Sequence, residues 1–359
     1  MAKRKLKGNL KFGLVPLKKD KHDFPLGAVF PQMDIKDILP KFELPRISPL
    51  HQKESDYCSA YGTDQMSRFQ EDEEFEPSWG FAVSKLLSGD PDEWGQNLRD
   101  AFKRPVKYGS LRKADSPMSL ETHDATFLRH IKNWPKDLFD KAKPFKKQSY
   151  FFIDGRYDPF DNICVALYQF RDQERAVGSG VLWDWPMDNP NIPSRVPTSG
   201  FGHFIVYTGY DREKDCLVLL NSYGPDVGDK GYFYIPRSVV NAFAGKYGAG
   251  MFVDLPAATA KMIINVHKKE SNMAEVRSDF MNLNLKDVAK GALVAVIVAV
   301  LGYSKELIEV NGLAITADQF REILSIALTA GVGYLVKNLF EDNTGKNKII
   351  SSVGGLFKK

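Results

Sequence analysis

The sequence predicts an α+β chain: a helical lobe first, a β-rich lobe second, and an apolar helical hairpin after both. Three observations predict it. From residue 58 to about 141, apolar residues recur at three- and four-residue spacing, the period of helices with one buried face. From about 148 to 255, short runs rich in β-branched and aromatic residues are mostly separated by Gly, Asp, Asn or Pro. Beyond a polar connector, residues 291–303 and 323–336 form runs of thirteen and fourteen residues without a charge.

Each element follows from its local chemistry. Residues 1–45 read as an arm. Eight of the first 21 residues are Lys or Arg, and prolines recur too often afterwards for helix. The basic run reads as a solvated tail, with an anionic partner as the alternative; nucleic acid is expected, if at all, only there. No apolar run follows the basic N-terminus, so no secretory signal is expected and synthesis in the cytoplasm is. "CSAYGTDQMSRF", "PSWGFAVSKLL", "WGQNLRDAFKR" and "DATFLRHIKNW" are expected helices, the second opened by Pro77. "QSYFFID", "NICVALYQF", "HFIVYTGYD", "CLVLLNSYG", "GYFYIP" and "AGMFVDL" are expected strands. The acidic run "EDEEFE" reads as a solvated loop. The expected divisions are an arm over 1–45, a main domain over 46–258, a linker over 259–280, a hairpin over 281–345 and a basic tail over 346–359.

At 359 residues and 43% hydrophobic content, the chain can bury a sizeable core, and a net charge of +4 does not by itself argue for nucleic acid. Cys58, Cys164 and Cys216 are too few and too widely spaced for a disulfide framework or a metal site, and no cofactor is expected. Cys164 and Cys216 read as core residues of strands. Cys58 differs, because it follows a loop and opens a helical pattern, where the helix dipole favours a thiolate. His203 enters a strand just after a glycine loop and can reach a cleft as a base. Asn221, at the end of the next strand, can orient its ring. The Gln52 side chain and the Cys58 backbone N–H can serve as oxyanion donors.

With these residues the sequence resembles the papain-like cysteine peptidases. Gln52 lies six residues before Cys58, and Ala60 two after it. "GHFIVYTGYD" and "NSYGPDVGDKGYFYI" resemble the family's segments around its His and Asn. "WGQNLRDAFKRPVKYG" resembles a segment that borders the substrate groove in bacterial members. His203 and Asn221 stand 145 and 163 residues after Cys58. The resemblance runs from about Phe42 to Leu255. It implies a papain-like two-lobe fold, helical lobe plus antiparallel β lobe, with a Cys58–His203–Asn221 site completed by Gln52. It also implies a Cys58–His203 thiolate–imidazolium pair, polypeptide substrates, and a groove near Tyr57, Ser59, Trp94, Gly95, Gly202 and Tyr223. The sequence departs from the family at Ser55, Asp56, Tyr57 and Ser59. The family disulfide is therefore absent, and Tyr57 is expected to crowd the oxyanion hole. Tyr223 replaces the Trp that shields the Asn–His bond. No long inhibitory propeptide is expected.

The apolar pair at 281–345 is similar to a two-helix module of tailed-bacteriophage proteins. Its runs are short for a bilayer span but rich in small residues, so membrane contact and packing on copies of the chain or on virion proteins both stay open. Three functions remain from the sequence. One is an active cysteine peptidase, virion-associated or injected. The second is a papain-fold binding protein without turnover. The third is a hydrolase of peptidoglycan-peptide cross-links.

Overall fold

The computed structural model describes residues 13–255, apart from 19, 21, 22, 31 and 90, together with residue 260. All belong to the first of two units of the chain, 1–261. The apolar runs at 291–303 and 323–336, the linker from 261 onward and the basic tail lie outside the described residues. Among the described residues no helix is long and apolar enough to cross a membrane.

In chain order the elements are β1 (Leu14–Val15), β2 (Lys41–Glu43), α1 (Cys58–Arg68), α2 (Pro77–Ser88), β3 (Gln96–Asn97), α3 (Leu98–Lys107), α4 (Ala125–Leu128) and α5 (Leu138–Ala142). Then come β4 (Ser149–Phe152), α6 (Pro159–Gln169), β5 (Val177–Trp183), β6 (Phe201–Asp211), β7 (Cys216–Leu220), β8 (Tyr232–Pro236), α7 (Arg237–Tyr247) and β9 (Ala249–Val253). The helical half precedes the β-rich half, as the periodicity requires.

The β lobe is one antiparallel sheet ordered β4-β9-β5-β6-β7-β8, with β2 added on β6. Strand β6 is the long axis. Its first half pairs with β5 and its last residues with β2 and β7, the register shifting between Tyr207 and Gly209. The expected arm is therefore not separate from the sheet, since Phe42 faces Tyr210 in the β2–β6 ladder.

The helical lobe packs around Tyr57, Trp79, Phe81, Leu111, Leu128 and Trp134. Helix α1 runs between this core and the sheet, and Cys58 to Ser67 are all buried. Gly62 makes this possible, because a Cβ there would overlap the Phe204 ring on β6. A buried ion pair ties α3 to the same helix. Arg104 donates to Asp64 at 2.7 Å and to Thr63 Oγ1 at 2.8 Å. The helix that begins at Cys58 is thus fixed on both sides.

Two expectations are corrected. "NICVALYQF" is not a strand but most of α6, so Cys164 is a helical core residue. Asp158 caps this helix by accepting the Asp161 N–H, and Pro159 occupies its first turn. The helix is buried along most of its length, and a short apolar run does not reveal its period when nearly every face is covered. "WGQN" is not helical either; Gln96 and Asn97 form β3, and Asn97 caps α3 through the Asp100 N–H. The sequence reading also lacked β5 and α7. The acidic run is only partly solvated: Glu76 is buried and caps α2 through the Ser78 N–H at 3.0 Å.

Candidate active site

Cys58 is the first residue of α1 and is fully buried. The backbone N–H groups of Phe204, Gly13 and Ser59 lie near enough to its sulfur to favour the anion. The Phe204 N–H belongs to the peptide that follows His203. The close packing of α1 on β6 thus carries the thiol to the strand bearing the imidazole.

His203 is the third residue of β6, also fully buried. Its Nε2 lies 2.7 Å from Asn221 Oδ1. Asn221 follows β7 directly, and β6 pairs antiparallel with β7, so the strand pairing itself brings the two together. The same Oδ1 accepts the Ser222 N–H at 2.7 Å, which fixes the amide with its oxygen toward the ring. Tyr223 stacks on the imidazole at 5.4 Å and 25°. Trp183 meets it edge-on at 5.5 Å. Trp183 lies on β5 opposite Phe201 in the ladder, and nothing in its local sequence marks it as a neighbour of His203.

Gln52 is buried before α1. Its Nε2 donates to the Ser55 carbonyl at 2.8 Å, and its Oε1 accepts the Ser222 hydroxyl at 2.5 Å. The residues around Gln52 and Asn221 are thereby joined, and the Gln52 N–H donates to the Ser222 carbonyl at 2.9 Å.

Two expected groove residues sit elsewhere. The Tyr57 ring is inside the helical core, stacked on Phe81 at 4.0 Å, with its hydroxyl donating to the Ala125 carbonyl. An aromatic ring beside a ready apolar core is driven there rather than over a polar site. Ser59 is buried and donates to Gln96 Oε1 at 2.8 Å. Trp94 is 44% exposed, just ahead of Gly95.

Gly95 and Gly202 line a groove that is occupied by the chain's own residues 13–15. Strand β1 pairs in parallel with β3, and the Gln96 N–H donates to the Gly13 carbonyl at 2.6 Å. A Cβ on Gly95 would overlap the Gly13 carbonyl, and one on Gly202 would overlap the Leu14 carbonyl. The Leu14 side chain is buried over Gly180, beside Tyr247. The arm is held further along by the Leu17 N–H to the Lys246 carbonyl at 3.0 Å and by a two-pronged Arg99–Asp23 pair.

The covered site is electrically quiet. Burial pushes the Cys58 thiol up to about 11, against the opposing pull of the backbone N–H groups around it. Burial also pushes His203 down to about 4, although the Asn221 bond favours its cation. With the arm seated, burial therefore opposes a charge on either member of the expected thiolate–imidazolium pair. A charge separated from water loses its hydration, and these hydrogen bonds replace only part of it.

No family model matches the chain, and no curated protein matches it. Solved structures do match. Xylellain, a cysteine protease from Xylella fastidiosa, superposes with a TM-score of 0.55 at 18% identity, covering 68% of this chain and 96% of that one. Procathepsin L 3 of Tenebrio molitor gives 0.44 at 14% identity, over 69% and 74% of the two chains. Bromelain from Ananas comosus gives 0.42 at 13%, over 60% and 98%. The first of these establishes the fold as papain-like.

Proposed function

We propose that the chain is a cysteine peptidase acting on polypeptides, kept closed by residues 13–18 of its own arm. The observation that carries this reading is Cys58 at the start of a buried helix packed on the strand that bears His203, with His203 bonded to Asn221. When the arm leaves, water returns to the crevice and the desolvation that opposes charge on both groups is relieved. A proton then passes from Cys58 to His203, and the thiolate attacks a peptide carbonyl carbon. The Gln52 amide and the Cys58 N–H receive the oxyanion. The C–N bond breaks as His203 protonates the leaving amine, and a thioester remains. His203 then takes a proton from water, the hydroxide adds, and the acid is released with the thiol restored. Asn221 keeps the ring aligned throughout.

The similarity of the C-terminal segment to the tailed-phage two-helix module supports a virion or injected component, with the hairpin meeting lipid, copies of the chain or other virion proteins. A second reading, a papain-fold binding protein without turnover, is favoured by the filled groove and by the burial that opposes charge on Cys58 and His203.

The deciding experiment uses the full chain with Leu14→Asp, which puts a charge into the buried Leu14 pocket and displaces the arm. Iodoacetamide at neutral pH is expected to label Cys58 at least tenfold faster in this variant than in the native chain. Peptide hydrolysis is expected to appear with it, and both are expected to vanish in L14D/H203A. Rapid unfolding-independent labelling without hydrolysis of any protein selects the binding protein. Hydrolysis of purified cell wall but not of protein moves the substrate to peptidoglycan cross-links.

A further inference from the structure

Asp56 stands two residues before Cys58 and is 2% exposed. Its Oδ2 accepts the Gly95 N–H at 3.0 Å, and its two oxygens lie 2.8 and 2.9 Å from Arg129 Nη2. The Gly95 carbonyl, on the other side of the residue, accepts Lys85 Nζ from α2 at 2.6 Å. Gly95 adopts φ +70°, a conformation that favours glycine, and in it the N–H turns to the carboxylate. The next residue, Gln96, has two roles. Its N–H holds the carbonyl of the chain in the groove, and its side chain accepts from Ser59 at 2.8 Å. The groove wall is therefore tied to the chain on both sides of Cys58, at Asp56 before α1 and at Ser59 within it.

Chemistry at the sulfur does not explain this carboxylate. A negative charge so near Cys58 opposes thiolate formation, and a buried charge is costly unless paired. Arg129 offsets the second cost. What the carboxylate contributes is its grip on Gly95. We propose that Asp56, charge-balanced by Arg129, is a positioning residue that holds the β3 edge in register with Cys58, so that a chain bound on Gln96 presents its backbone to the sulfur. The proposal rests on the peptidase reading.

The test is made in full-length L14D, comparing Asp56→Ala with Asp56→Asn. The asparagine keeps one oxygen for the Gly95 N–H but loses the charge and one of the two acceptors for Arg129. For an extended fluorogenic peptide, kcat/KM is expected to fall at least 30-fold in Asp56→Ala, mostly through KM, and less than fivefold in Asp56→Asn. Iodoacetamide labelling of Cys58, which needs no groove wall, is expected to hold or to quicken in both. Equal losses in the two variants, or labelling that falls in step with hydrolysis, overturns the proposal. If the L14D parent neither labels nor hydrolyses, the peptidase reading is what has failed. The grip is then read by amide hydrogen exchange in the otherwise native chain. Asp56→Ala is expected to speed exchange of Gly95 and Gln96 at least tenfold while α1 stays protected. Unchanged exchange overturns it. If the alanine variant does not fold, Asp56→Asn decides, since its Gly95 and Gln96 amides must stay slow.

Discussion

The fully buried imidazole at residue 203 has a consequence for stability that is separate from catalysis. Burial lowers His203 from 6.5 to about 4, with the Asn221 bond acting the other way. A folded pKa below the unfolded one means that the unfolded chain binds the proton more readily. The contribution is therefore fully present above about pH 6.5 and is lost as pH falls toward 4. A shift of this size corresponds to about 3 kcal/mol at most. The melting temperature of the native chain should fall between pH 6.5 and 4 more steeply than that of His203→Gln, as followed by circular dichroism. Asn221→Ala removes the bond at 2.7 Å that orients the ring. In the arm-displaced enzyme this should lower kcat by about tenfold, the equivalent of one net hydrogen bond of roughly 1.4 kcal/mol. Cys58, His203, Asn221 and Gln52 were legible in the sequence because residue type, order and spacing all survive in a linear string. Trp183 and the Asp56–Gly95–Arg129 group were not. Their partners are far away in the chain and meet only through β5–β6 pairing and the loop after α4.

At the level of elements, the succession from helical to β-rich was readable because it rests on a change of period. The failures have physical causes. Helix α6 is buried on most faces, so its apolar run shows no period. Strand β5, "VGSGVLW", has two glycines and a serine where a strand would usually show β-branched residues, because Met66 and Phe102 press on Gly178, Leu14 and Tyr247 press on Gly180, and Ser179 donates to the Gly248 carbonyl. The contact between α1 and β6 is the most exacting of these packings. A methyl group added at Gly62 would overlap the Phe204 ring, and neither element has room to retreat: Phe204 is 1% exposed and lies in a paired strand. Gly62→Ala should therefore destabilise the chain by about 1–3 kcal/mol, the usual range for overpacking, read from the urea midpoint. If the midpoint does not move, the helix is not held against the strand as described, and the approach of Cys58 to His203 loses its structural cause.

For the molecule as a whole, the question is where the arm ends and the domain begins. Composition reads residues 1–45 as one arm, but the contacts of its described residues divide it near residue 23. Residues 13–18 lie in the groove through Leu14 and a few backbone bonds, and their removal exposes one buried leucine, about 1.5–3 kcal/mol. The second part belongs to the core. Leu26, Val29, Ile38 and Leu44 are all buried, Pro25 bridges to Phe152, and β2 covers the far end of β6. Those four side chains alone correspond to roughly 6–12 kcal/mol, comparable with the whole stability of a typical domain at 5–15 kcal/mol. Deleting residues 1–22 should therefore leave a cooperative thermal transition, lowered by a few degrees, with Cys58 open to iodoacetamide. Deleting residues 1–45 should abolish the transition, leaving a chain that trypsin degrades without a stable fragment. A folded 46–359 chain would mean that the ladder between Phe42 and Tyr210 is dispensable. Failure of the shorter deletion to open Cys58 would mean that something other than residues 13–18 keeps the thiol from water, and the closed-site account would have to be abandoned.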